Sequence, residues 1–63
     1  MPEVIVYAVA GRTPEQKRTL IRAVNEAIAQ ALQANPESIR VIIQEVPKEH
    51  WGIGGTSARE LGR

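Results

Sequence analysis

The sequence predicts an α/β subunit in which one long helix joins two parallel strands. Three observations predict it: an apolar run rich in β-branched residues at positions 4–9, an amphipathic segment over residues 14–34, and a second apolar run at 39–46. A helix of this length spans about 30 Å and returns the chain to the start of the first strand, which gives a right-handed β-α-β unit. The 63 residues form one domain, 1–63.

Local signals support each element. The two apolar runs are nearly continuous rather than alternating, which is typical of strands covered on both faces. Thr13, Pro14 and Gln16 occupy the N-cap, the first helical position and the third, as in a capping box. Asn35-Pro36 is expected to end the helix, because proline cannot donate a backbone hydrogen bond and disfavours the α region at the preceding residue.

The helix is predicted to be amphipathic, with an apolar stripe toward a core and a polar face toward water. Its apolar positions recur at spacings of three, four and seven: Leu20, Ile21, Val24, Ala27, Ile28, Ala31 and Leu32. The polar side is assigned Lys17, Arg18, Arg22, Asn25, Glu26, Gln30 and Gln33.

The C-terminal segment contains glycine-rich turn sequence. Three glycines between Gly52 and Gly55 predict a tight reversal or short hairpin. Ser57 and Glu60 have the spacing that caps one last helical turn.

Packing predicts a homo-oligomer. A chain this small buries only about 60% of its unfolded surface. It has no cysteine and one histidine, so disulfides and a tetrahedral zinc site are excluded as stabilising elements. One helix covers one face of a two-stranded sheet, so another copy must cover the rest. Antiparallel pairing of the first strand's free edge with its own copy would give a four-stranded sheet per dimer.

The composition excludes some classes of binding partner. The chain is 43% hydrophobic and 24% charged with a formal net charge of +1, and it has one Trp, one Tyr and no Phe, which argues against a nucleic-acid partner. The longest apolar run is too short to span a bilayer, and no basic segment precedes it as in a signal peptide. We therefore expect a cytoplasmic protein without a membrane partner.

Pro2 is the main candidate for chemistry. Removal of Met1 would make Pro2 a secondary amine at the edge of the sheet. An α-amino group has a pKa of about 7.7 to 8.0, and an apolar pocket with nearby cations lowers it, so such an amine can act as a general base at neutral pH. By position alone, however, a proline that begins an edge strand is the simpler interpretation.

Two arginines add to this hypothesis. Arg12 follows a glycine at the far end of strand one, and Arg40 opens strand two. At about 3.3 Å per residue, Pro2 and Arg12 of one chain lie roughly 30 Å apart and cannot share a site. In the antiparallel edge pairing, Pro2 of one subunit instead lies opposite residues 9–12 of the other. Parallel strand pairing places Arg40 near the Pro2 end, whether within one chain or between chains.

Other polar side chains are interpreted as surface groups. His50 is a partly exposed turn residue, and Ser57 has no neighbouring base in the sequence. The carboxylates Glu3, Glu45 and Glu49 fit surface charges at strand ends and loops better than a paired acid and base.

The order and spacing of several segments resemble those of the 4-oxalocrotonate tautomerase family across almost the whole chain. The segments are Pro2 after methionine, Gly11-Arg12 leading into Thr13-Pro14-Glu15-Gln16-Lys17, Arg40-Val41-Ile42-Ile43, and His50-Trp51-Gly52-Ile53-Gly54-Gly55. The resemblance implies a β-α-β subunit, a homohexamer built as a trimer of dimers, and enol-keto isomerisation without a cofactor or metal.

The resemblance also implies roles. Pro2 would be the general base, and Arg40 from a neighbouring subunit would bind a carboxylate and the enol oxygen. Arg12 from yet another subunit would hold the distal carboxylate. Trp51, where relatives often carry Phe, would form an apolar wall, and Val9 would also contact the substrate.

Two departures from the family leave the exact substrate open. Ala10 stands where relatives often have an acidic residue, and Gly62 stands where a C-terminal arginine is expected. Arg59 and Arg63 lie close to that position.

The resulting expectation is an isomerase of aromatic-compound catabolism that acts on 2-hydroxymuconate-like unsaturated 2-hydroxy or 2-oxo dicarboxylates. An alternative on the same scaffold is a hydration-type dehalogenase or a decarboxylase, in which protonated Pro2 is the acid and a carboxylate activates water. A further alternative is a non-catalytic oligomeric binding module.

Overall fold

The computed structural model describes all residues from 1 to 63 and has the predicted β-α-β order with parallel strands. A short antiparallel hairpin follows, as expected from the glycines. The elements are β1 (Glu3–Val9), α1 (Pro14–Leu32), β2 (Arg40–Val46), β3 (Gly52–Ile53) and β4 (Thr56–Ser57), with 3₁₀ turns at Pro36–Ser38 and Lys48–His50.

The register of the β1-β2 pair determines which residues share an end of the sheet. Glu3 pairs with Arg40 at one end and Val9 pairs with Val46 at the other. The ladder extends past both ends, because Arg40 N–H donates to Pro2 O at 3.0 Å and Ala10 N–H donates to the Val46 carbonyl at 2.9 Å.

Helix α1 begins at the predicted capping box and ends earlier than predicted. Thr13 Oγ1 accepts from the Gln16 N–H at 3.1 Å, and Gln16 Oε1 accepts from the Thr13 N–H at 2.9 Å. The last helical residue is Leu32 rather than residue 34, because Gln33 adopts a left-handed conformation (φ 53°, ψ 43°). Its N–H donates to the Ala29 carbonyl. This cap ends the helix upstream of Pro36.

The C-terminal segment forms the expected capped turn. Ser57 Oγ accepts from the Glu60 N–H at 3.2 Å, and Glu60 Oε1 accepts from Ser57 Oγ at 3.0 Å. The Ala58 N–H donates to the Trp51 carbonyl at 2.8 Å, and Ala58 is only 1% exposed. The turn is therefore packed onto the segment that precedes the hairpin.

One face of the sheet is left open by a single chain. Residues of β1 and β2 alternate between half-buried positions toward α1 and exposed positions on the other side. On that side Ile5, Tyr7 and Ile42 are 47%, 64% and 43% exposed, and we call these three residues the open face. Only Ile39 and Ala58 are buried in the whole chain. One helix thus covers one face, as expected, and the covering of the other face by a second copy stays a prediction.

The sheet is joined to the start of α1 by an ion pair. Lys17 Nζ donates to Glu45 Oε1 of β2, and both side chains are about a third exposed. Lys17 was assigned to the solvated side of the helix, and this assignment was wrong. It precedes Leu20 by three residues and Val24 by seven, so it lies on the apolar stripe.

The same contact lowers the pKa of Glu45. The Lys17 hydrogen bond is the main cause, and the charge of Lys17, the Gly11 N–H and the charge of Arg12 add to it. Partial removal of the carboxylate from water acts in the opposite direction.

Ile42→Lys should abolish self-association. It places a charge on the open face, which a single chain cannot bury, so covering that face with a second copy becomes unfavourable. Because so few residues are buried within one chain, much of the far-ultraviolet circular dichroism should be lost as well. Sedimentation velocity measures the assembly. Gln30→Lys, on the exposed side of α1, is the matched control, and an Ile42→Lys protein that assembles like this control would contradict the expectation.

Glu45→Gln should make stability less dependent on pH. The pKa of Glu45 in the folded chain lies below its ordinary value of 4.5, so its stabilising contribution is complete above that value and is lost as the pH falls through the folded-state pKa. The Tm difference between the wild type and Glu45→Gln should therefore be largest near about pH 6.5 and should fall toward zero in acid. A difference that stays constant down to about pH 3 would contradict the assigned ion pair.

Candidate active site

The candidate site residues fall into two groups at opposite ends of the sheet. Pro2 and Arg40 lie at the start of β1 and β2, whereas Val9, Arg12 and Trp51 lie at or beyond the strands' far ends. The seven residues of β1 separate the groups by roughly 20 Å within one chain. A single chain therefore brings Pro2 and Arg40 together and does not bring either of them to Arg12.

The Pro2 end is organised by the first hydrogen bond beyond the ladder. Pro2 is half-buried, and its carbonyl accepts the Arg40 N–H at 3.0 Å. Met1 is 88% exposed. The Met1–Pro2 peptide bond, which makes the Pro2 nitrogen an amide, therefore lies at the surface. Once Met1 is removed, the amine stands next to the first residue of β2.

The Arg40 side chain is anchored by backbone carbonyls. Its Nη1 donates to the Glu37 carbonyl at 3.1 Å and to the Ile39 carbonyl at 3.5 Å. A guanidinium has five N–H donors, so these two contacts leave others for an anion. No carboxylate of the chain forms an ion pair with Arg40.

Arg12 is positioned by the turn between β1 and α1. Gly11 has φ 132°, a conformation that L side chains rarely adopt, and this reverses the chain directly before Arg12. Arg12 Nη1 then donates to the Val9 carbonyl at 2.9 Å. The guanidinium is thus held at the end of the sheet without an acidic hydrogen-bond partner.

Arg12 lines two cavities. The first, which we call the basic cleft, has a volume of about 560 Å³ and no acidic side chain in its wall. It is lined by Val9, Ala10, Gly11, Arg12, Gln16, Lys48 and Arg63. The second, the inner cavity, has a volume of about 180 Å³ and lies between α1 and the sheet. It is lined by Val6, Ala8, Arg12, Gln16, Lys17, Leu20, Ile43 and Glu45.

Arg59 and Arg63, the two arginines near Gly62, have different surroundings. Arg59 Nε pairs with Glu49 Oε2 at 3.2 Å, whereas Arg63 lines the basic cleft with Arg12. The pKa of Glu49 is lowered first by a hydrogen bond from its own backbone N–H and then by Arg59. Arg63 is therefore the C-terminal arginine that stands beside Arg12.

Trp51 is fixed at the Arg12 end but lines neither cavity of its own chain. It is half-buried, its N–H donates to the Lys48 carbonyl at 3.4 Å, and its carbonyl accepts the Ala58 N–H. Its role as an apolar wall stays a prediction for the assembled protein.

The remaining polar candidates do not form a second site. His50 is exposed, and the Ser57 hydroxyl donates to Glu60 Oε1 within the capped C-terminal turn. Glu45 and Glu49 are each paired with a cation. No three His, Cys, Asp or Glu side chains come close enough to hold a metal ion, and no helix is both long and apolar enough to cross a membrane.

Two lysines were missed by the sequence reasoning. Lys48 lines the basic cleft, and Lys17 neutralises Glu45 next to Arg12. The position of Lys17 on the apolar stripe was a usable signal. Lys48 had none, because its approach to Arg12 depends on the 3₁₀ turn after β2.

Comparison with known proteins relates this geometry to a family. The family model described as "Tautomerase enzyme" matches residues 2–60. The 2-hydroxymuconate tautomerase of Stutzerimonas stutzeri is 54% identical over 63 residues, which is all of both chains.

Solved structures of similar proteins agree with this family match. A 4-oxalocrotonate tautomerase isozyme from Methylibium petroleiphilum has a TM-score of 0.95 at 52% identity, covering 98% of this chain and 100% of its own. A heterohexameric 4-oxalocrotonate tautomerase from Chloroflexus aurantiacus has a TM-score of 0.93 at 43% identity, covering 97% and 98%. The chain therefore belongs to the tautomerase family, and its class of activity is that of an isomerase.

Proposed function

We propose that this chain is a cofactor-independent enol-keto tautomerase that acts on 2-hydroxymuconate or a closely similar unsaturated 2-hydroxy dicarboxylate. The observation that carries the proposal is the pairing of Pro2 with Arg40 at one end of the sheet, which puts a potential amine base beside a cation that has no carboxylate partner. The substrate class is supported by the 2-hydroxymuconate tautomerases that match the chain over its full length.

Pro2 would carry the proton in this reaction. With Met1 removed, its nitrogen takes a proton from the substrate as the enol becomes a ketone and returns one to a carbon of the conjugated chain, so no atom is gained or lost. The Arg40 guanidinium binds the adjacent carboxylate and the enol oxygen, where negative charge develops. A nearby cation also lowers the pKa of the amine, which keeps it unprotonated near neutral pH.

Arg12 would hold the distal carboxylate from another subunit. Its own chain places it too far from Pro2, but antiparallel pairing of two β1 edges brings the end that carries Val9 and Arg12 opposite the partner's Pro2 end. The basic cleft supports this role because its three cations, from Arg12, Lys48 and Arg63, face no acidic side chain. Trp51 and Val9 would supply apolar contacts at the same end.

The proposed assembly is a homohexamer built as a trimer of dimers. The open face supports it, since three large side chains need to be covered. A structural neighbour from Chloroflexus aurantiacus is a heterohexamer, which supports a six-chain arrangement for this fold. A cytoplasmic location, a role in aromatic-compound catabolism and the lack of membrane or nucleic-acid partners stay predictions.

The dehalogenase or decarboxylase alternative is less well supported. It needs a carboxylate that activates water, and both Glu45 and Glu49 are neutralised by cations at the far end of the sheet. Glu3 is the one acidic candidate at the Pro2 end, where it pairs in register with Arg40. The tautomerase needs no such carboxylate.

Pro2→Ala should reduce ketonisation of 2-hydroxymuconate by at least about 10²-fold, the usual contribution of a positioned general base, while the assembly is preserved. Ultraviolet absorbance measures the reaction. Protein that retains Met1 is a matched control, because its Pro2 nitrogen is an amide and cannot accept the proton. Mass spectrometry identifies each form. Equal turnover in processed wild type and in protein that retains Met1 would contradict the assigned base, and absence of turnover in both would favour a non-catalytic binding module.

Arg12→Ala should raise KM about 10-fold or more for a dicarboxylate and change it little for a monocarboxylate such as 2-hydroxy-2,4-pentadienoate. The reason is that one charge-assisted hydrogen-bonding partner is worth about 1.5 to 3 kcal/mol. Arg22→Ala, on the exposed side of α1, is the control. Equal losses for the two substrates would argue against a distal-carboxylate role.

A further inference from the structure

The inner cavity contains a carboxylate that could compete with the substrate for Arg12. Arg12 and Glu45 line this cavity together, and the charge of Arg12 contributes to the lowered pKa of Glu45. A guanidinium binds any carboxylate by the same two-pronged geometry, whether it belongs to the protein or to a ligand. An unpaired Glu45 would therefore draw Arg12 toward α1 and away from the basic cleft.

Lys17 is the partner of Glu45 in the structure. Its ammonium group hydrogen-bonds to Glu45 Oε1, and this is the ion pair that joins α1 to β2. Arg12 bonds to the neutral Val9 carbonyl at 2.9 Å instead of to Glu45. The positive charge of Arg12 thus remains uncompensated on the side of the basic cleft, where no acidic side chain stands.

We propose that Lys17 is a positioning residue that determines specificity for dicarboxylates by neutralising Glu45 and so keeping Arg12 available to the distal carboxylate. The inference rests on the proposed function for the identity of the ligand, but the arrangement of the three side chains is independent of the chemistry at Pro2. It assigns no contact between Lys17 and the substrate.

The inference predicts that one substitution reverses the effect of another. Lys17→Met keeps the apolar stem and removes the charge, so Glu45 should capture Arg12 and dicarboxylate affinity should fall about 10-fold. Glu45→Gln alone should leave dicarboxylate affinity at least as high as in the wild type. The double variant Lys17→Met/Glu45→Gln should return to within about twofold of the wild type, because no carboxylate remains to compete. Monocarboxylate affinity should stay nearly constant throughout.

A purely structural role gives a different pattern. If the ion pair only joined α1 to β2, each single substitution would weaken binding of both acid types and the double variant would be no better than either. Arg59→Met is the matched control, since it breaks the chain's other ion pair, to Glu49, and should not separate the two acid types.

The experiment is isothermal titration calorimetry of the assembled, Met1-processed protein with muconate and with sorbate, an unsaturated dicarboxylate and monocarboxylate that carry no enol. Sedimentation velocity confirms the assembly of each variant, and Lys17→Gln replaces Lys17→Met if the latter does not assemble. Muconate affinity that is lost in the Lys17 variant and restored in the double variant supports the inference. Unchanged affinity in the Lys17 variant, or no restoration, overturns it. Absence of tautomerase turnover in a wild type that binds muconate overturns only the proposed function.

Discussion

The parallel register of β1 and β2 is the constraint on which the rest of the structure depends. It brings Arg40 beside Pro2 through one backbone hydrogen bond, and it sends the segments after Val9 and Val46 to the other end. Arg12 and Lys48 therefore meet in one cleft, at a distance from Pro2 that no side chain can cross. A one-residue slip would invert the faces of one strand relative to the other, and Arg40 and Gln44 would then face the helix in place of Val41 and Ile43.

Much of the fold could be predicted because its signals are local. Thr13 and Gln16 define the start of α1 through side chains three residues apart, and strand, helix and strand lengths require the crossover. The end of the helix was missed because Gln33 adopts a left-handed conformation without being a glycine, the residue that normally marks such a cap. The N–H groups of Gln33 and Ala34 both donate to the Ala29 carbonyl, and glutamine gives no sequence signal for such a cap.

The site was predictable in part for the same reason. The separation of Pro2 from Arg12 follows from strand length alone, whereas the choice between Arg59 and Arg63 depends on a tertiary contact, the ion pair with Glu49. Lys17 illustrates the limit of polarity as a guide to exposure, since its charged head meets the Glu45 carboxylate between α1 and the sheet while its stem follows the apolar stripe. Conversely, Ile21 and Leu32 belong to the stripe by spacing and remain 43% and 61% exposed.

The placement of the two half-sites at opposite ends of one strand has a genetic consequence. In the proposed assembly each chain would give its amine to one site and its Arg12 to another, so a chain damaged at one end would still be useful at the other. Two defective copies, one lacking Pro2 and one lacking Arg12, would then complement each other in a mixed assembly. After gene duplication, the two ends of the sheet could diverge in separate chains. Two subunits, each with one functional end, could then replace a single chain that carries both.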